Sequence, residues 1–103
     1  MEFVAVAKVG DIPEGQGESY QVGEHLVAVF NVGGQHHAIS DICPHMGASL
    51  AGGPVEEGVV SCPWHAWRFR VADGTWCDNP RLKADTYPVR IVDGQIQVGV
   101  PSP

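Results

Sequence analysis

Cys43-Pro44-His45 and, sixteen residues further on, Cys62-Pro63-Trp64-His65 are the stretches from which the fold of this chain is read. Each offers one sulfur and one imidazole, separated by one or two residues, with a proline in the gap. A single tetrahedral zinc suits segments that carry paired ligands of one kind, C-x-x-C or H-x-x-x-H. Two loops that each carry one of both kinds, placed face to face, present two sulfurs at one end and two nitrogens at the other. A two-iron, two-sulfide cluster is long enough to need that division, with one iron held by Cys43 and Cys62 and the other by His45 and His65.

Two plainer readings use the same residues. A disulfide between Cys43 and Cys62 would leave both histidines without a role, and the total of three cysteines is odd. A structural zinc module built on Cys43, His45, Cys62 and His65 would be colourless and redox-silent. The mixed pairing and the β-rich frame speak against it.

That frame is legible on either side of the motif. Phe3–Val9 reads as a strand closed by an Asp11-Ile12-Pro13-Glu14-Gly15 turn, and Ser19–Val22 as a short second one. His25–Asn31 is almost wholly apolar, which places it centrally, and Gly33-Gly34 permits a tight hairpin back into Gln35–Ser40. Asp41–Pro54 lacks any strand period and reads as a shaped loop. Val59–Ser61 leads into the second ligand segment; Trp67–Val71 and Thr75–Cys77 flank the Ala72-Asp73-Gly74 turn. Thr86–Val92 and Gln95–Val100 read as a last hairpin across Asp93-Gly94. No segment holds a 3.6-residue period over three turns, and thirteen glycines and eight prolines agree with an all-β chain of short strands.

At 103 residues the chain is one domain, without repeats or a linker. Residues 1–42 and 81–103 are expected to form a base, and residues 43–80 an inserted cluster-binding subdomain. No run approaches twenty apolar residues, and the N-terminus reads as a strand and not as a signal peptide, so neither a membrane span nor export is expected. A reducing, cytoplasmic setting suits the unpaired cysteine count. The net charge of −6, with six scattered basic residues, argues against nucleic acid as a partner. It suits docking onto a basic patch of another protein, and equally plain solubility.

C-x-H, sixteen residues, then C-x-x-H resembles the signature of Rieske [2Fe-2S] domains, and all four ligand positions are matched by Cys43, His45, Cys62 and His65. The resemblance covers nearly the whole chain. It implies a small β-sandwich base with a cluster-binding subdomain at one end, and the outer ring nitrogens of His45 and His65 near solvent. High-potential members add a cysteine to each loop and clamp the two together by a disulfide; Ala48 and Trp64 stand at those positions here. Such members also carry serine and tyrosine hydroxyls that hydrogen-bond sulfur, where this sequence has Trp67 and Phe69. Without those bonds the reduced cluster is less stabilised, so a potential near the bottom of the Rieske range, about −150 mV, is expected. Asn79-Pro80 matches the position of a third, proline-bearing loop that covers the cluster in the family.

The resemblance points to a low-potential, disulfide-free ferredoxin that carries electrons from a flavin reductase to a terminal oxygenase. The chain shows no substrate pocket or acid–base constellation of its own. The rival within the family is a small subunit of a cytoplasmic NAD(P)H-dependent nitrite reductase, partnered with its large subunit. Trp64, Trp67, Phe69 and Trp76 are read as core beneath the cluster, Cys77 as a small buried hydrophobe, and His36-His37 as surface. His25 has no assigned role. Arg68 and Arg70 share one strand face.

Overall fold

The computed structural model describes residues 1–43, 48–63 and 67–101. Strands β1 (Glu2–Lys8), β2 (Gly17–Val22), β3 (His25–Val32) and β4 (Gln35–Ser40) precede the first cysteine–histidine pair. A single 3-10 turn, Leu50–Gly52, follows it. Then come β5 (Val55–Glu56), β6 (Val59–Ser61), β7 (Arg68–Arg70), β8 (Thr75–Trp76) and β9 (Asn79–Lys83). Last are β10 (Thr86–Tyr87), β11 (Val89–Val92) and β12 (Gln95–Val100).

Among the described residues these strands make three antiparallel sheets, ordered β1-β12-β11, β10-β4-β3-β2 and β5-β6-β7-β8-β9. Strands far apart in sequence meet in the first two. Glu2 lies opposite Val100, and Tyr87 opposite Ala38, so segments on either side of the cysteine–histidine region pair directly. The third sheet is built wholly from Val55 to Lys83.

The apolar strand β3 explains how the sheets are held together. Side chains alternate along a strand, so an unbroken apolar run must bury both faces. Val27 and Val29 enter one core with Ile12, Val22, Ala38, Ile96, Val98 and Val100. Ala28 and Phe30 enter the other, with Ile39, Leu50, Val60, Phe69 and Val71, and this second core also contains Cys43 and Cys62. Each large side chain buried this way contributes about 1.5–3 kcal/mol. The middle sheet is therefore a shared wall between the β1-β12-β11 layer and the layer that carries the cysteines.

The sequence expectation fails at Pro88. The expected single strand Thr86–Val92 is two strands that belong to different sheets, β10 pairing with β4 and β11 with β12. Proline has no N–H for a ladder and ends the pairing there. Two strands were also not anticipated, β5 and β9. Asn79 and Pro80, expected in a loop, lie in β9, the edge strand of its sheet, where a proline is tolerated.

Candidate metal centre

Cys43 and Cys62 occupy equivalent places in two loops of equal span. The Cys43 N–H donates to the Ala48 carbonyl at 2.9 Å, and the Cys62 N–H to the Trp67 carbonyl at 2.7 Å. Each loop is thus closed at its base by a bond from the cysteine to the residue five positions on. Both side chains are buried, at 1% and 3% exposure, and all three cysteines of the chain stand outside disulfides. Two buried sulfurs in one apolar core, at the bases of paired loops, form a donor set suited to a sulfide-bridged iron and not to solvent chemistry. His45, His65 and Trp64, and with them Pro44 and Gly47, lie outside the described residues.

The loops rest on different stems. The second continues the β6–β7 ladder, in which Val60 faces Phe69 and Ser61 faces Arg68. The first has, among the described residues, a single bridge, between Ile42 and Ser49, and is completed by Asp41. The Asp41 carbonyl accepts the Leu50 N–H at 2.7 Å, while its own N–H donates to Leu26 on β3 at 2.9 Å. Its side chain is 5% exposed and fully engaged. The carboxylate accepts from Ser49 Oγ at 2.9 Å on both oxygens, from the Ala51 N–H at 2.9 Å and from Ser19 Oγ at 3.0 Å. Sequence reading passed over Asp41, since one acidic residue before a loop carries no period or spacing. Its signal is only its place, two residues before Cys43.

Aromatic side chains join the core that holds Cys62. Phe69 is fully buried. Trp67 and Trp76 pack against the same core and stack on each other, with centroids 3.9 Å apart and planes 8° from parallel. Trp76 Nε1 is buried with no hydrogen-bond partner among the described residues. The core role expected for Trp67, Phe69 and Trp76 is what the structure shows. Cys77, expected to be buried, is half-buried, in the turn between β8 and β9. His36 and His37, expected on the surface, are also half-buried. Burial, with a smaller contribution from neighbouring His37, pushes the His36 imidazole below its ordinary value, and its Nε2 is buried without a partner among the described residues. His25 meets Tyr87, Nδ1 to the phenol oxygen at 3.3 Å with rings edge to face. Arg68 and Arg70 are both exposed on one face of β7, with Phe69 between them turned inward.

A family profile for the Rieske [2Fe-2S] domain matches residues 2–96. The chain belongs to that family. It is 33% identical over 100 residues to the ferredoxin component of the alkene monooxygenase system of Xanthobacter autotrophicus, covering 96% of this chain and 82% of that protein. Among solved structures it resembles the chain from a complex of reduced oxygenase and oxidized ferredoxin in carbazole 1,9a-dioxygenase. That likeness has a TM-score of 0.85 and 30% identity over 93% of this chain and 91% of the other. A protein described as the NADH-dependent nitrite reductase small subunit of Mycobacterium tuberculosis superposes with a TM-score of 0.91 at 26% identity, over 98% and 96% of the two chains. This Rieske chain is an electron-transfer protein with one [2Fe-2S] cluster. When bound, the cluster accepts and releases one electron at a time. No helix among the described residues is long and apolar enough to cross a membrane.

Proposed function

We propose that the chain is the ferredoxin component of an oxygenase system, working in the cytoplasm between a flavin reductase and a terminal oxygenase. We assign one iron to Cys43 and Cys62 and the other to His45 and His65. The observation that carries the ligand assignment is the pair of buried cysteines, each closing a loop of the same span with the same backbone bond. The protein supplies the frame: two stems that fix the sulfurs and an apolar core that keeps water from them. The likeness to ferredoxin components of a monooxygenase and a dioxygenase system supports the choice of partner.

The test is a redox titration of anaerobically purified protein, followed by electron paramagnetic resonance and paired with iron and zinc analysis. Two irons per chain and a reduced-state signal with the low average g value of mixed nitrogen and sulfur ligation are expected. Replacing Cys43 or Cys62 by Ser, or His45 or His65 by Ala, should abolish that signal. One zinc per chain and no signal would overturn the assignment.

The nitrite reductase small-subunit likeness, the higher of the two TM-scores, supports a second reading as a permanent subunit. Mixing the reduced chain with a siroheme reductase large subunit separates the two. Co-elution as a stable complex favours the subunit, whereas brief encounters that pass electrons to an oxygenase favour the carrier.

A further inference from the structure

The two stems place a question on Asp41. A β-ladder holds the second loop, whereas the first adds to one bridge and two backbone bonds a side chain that accepts from three donors. Buried carboxylates are uncommon unless paired or fully hydrogen-bonded, and no cation is among the hydrogen-bond donors that satisfy this one. Its donors are two serine hydroxyls and one backbone N–H, so they compensate its lone pairs without cancelling its charge. An apolar replacement with a continued ladder would have served a purely structural stem.

We propose that Asp41 is a positioning residue for the cluster, whose hydrogen bonds fix the first loop and whose buried negative charge holds the cluster's reduction potential down. The proposal rests on the [2Fe-2S] reading and on Cys43 as a ligand. A nearby fixed anion favours the redox state with more positive charge, here the oxidised one, and acts strongly where water is excluded. The bonds and the charge are separable. Ser49 donates to both oxygens and Ala51 to one, so the exit of the loop is tied to the same group that precedes its cysteine. Ser19 ties that group to β2.

The experiment compares the intact chain with Asp41→Asn and Ser49→Ala, reading the midpoint potential, the reduced-state g values and the rate of iron extraction by a chelator. Asp41→Asn keeps the shape and removes the charge, and is expected to raise the midpoint. The expected size is about a tenfold change in the one-electron equilibrium, or about 59 mV. Ser49→Ala keeps the charge and loosens the stem; iron should leave faster, with no upward shift of the midpoint. A thermal midpoint that falls in Asp41→Asn while the potential stays put would show a merely structural role and overturn the proposal. So would a rise in Ser49→Ala equal to that in Asp41→Asn. If Asp41→Asn holds no cluster, the Ser19→Ala, Ser49→Ala double variant decides, since unchanged iron release there would equally overturn it. Absence of the Rieske signal from the unaltered chain would instead defeat the family reading, so the two failures are distinguishable.

Discussion

The Ser61 N–H donates to the Pro54 carbonyl at 3.0 Å, which hangs the strand leading into Cys62 on the segment that leaves the first loop. Gly53 makes that approach feasible: a Cβ there would overlap the Ser61 carbonyl oxygen and press on Val60. Its φ of −83° is open to any residue, so the constraint is one of space and not of backbone conformation. Gly53→Ala should cost about 1–3 kcal/mol through forced separation of the two segments. Denaturant unfolding of the loaded protein measures it, and a variant within error of the parent would contradict the close contact.

Phe69 allows a direct test of why the potential should be low. The ring is fully buried in the core that holds both cysteines, and it lacks the hydroxyl that high-potential relatives are expected to place there. Phe69→Tyr should raise the midpoint if its hydroxyl reaches a sulfur of the cluster site. If it reaches none, the potential stays and stability drops, because a buried hydroxyl without a partner is costly. Phe69→Ala, by contrast, opens a cavity and should destabilise by about 3–5 kcal/mol.

Cys77 is half-buried and lies outside the two loops. Cys77→Ser should therefore leave iron content and the reduced-state signal unchanged. Iron analysis at parity with the parent is the expected result, and a loss of half or more would place Cys77 in the ligand set.

His36 should leave a mark on stability below neutral pH. Its folded pKa is lowered from 6.5, chiefly by burial and then by His37, so the unfolded chain takes up a proton more readily than the folded one. The stability this neutral imidazole contributes is complete above the ordinary value and is lost as pH falls through 6.5 towards the lower folded value. His36→Gln should flatten the fall in melting temperature over that window. Parallel curves for variant and parent would remove His36 as the cause.

What the sequence revealed follows from what periodicity can carry. Gln35–Ser40, Val59–Ser61 and Gln95–Val100 have the same bounds in the structure as in the sequence reading, because turn residues and apolar alternation mark strands locally. Periodicity does not say to which sheet a strand belongs. Tyr87, Val89 and Ile91 alternate with Thr86, Pro88 and Arg90, yet Pro88 hands the chain from one sheet to another. A proline inside a strand pattern was the available sign. The cysteines were legible because their spacing is chemical and not conformational. Asp41 was not, since its role exists only once Ser19, Ser49 and Ala51 are gathered around it.

Ala28 and Val29 are neighbours in the chain and belong to different cores. No seam therefore runs between the layer that bears the cysteines and the layer of β1, β11 and β12, since peeling either away strips one face of β3. Heat or denaturant should meet a single cooperative unit, with loss of colour and loss of strand signal falling on one curve. A redox carrier built this way has little scope to loosen its centre while keeping its scaffold. The described strands then arrive at each encounter in the same shape.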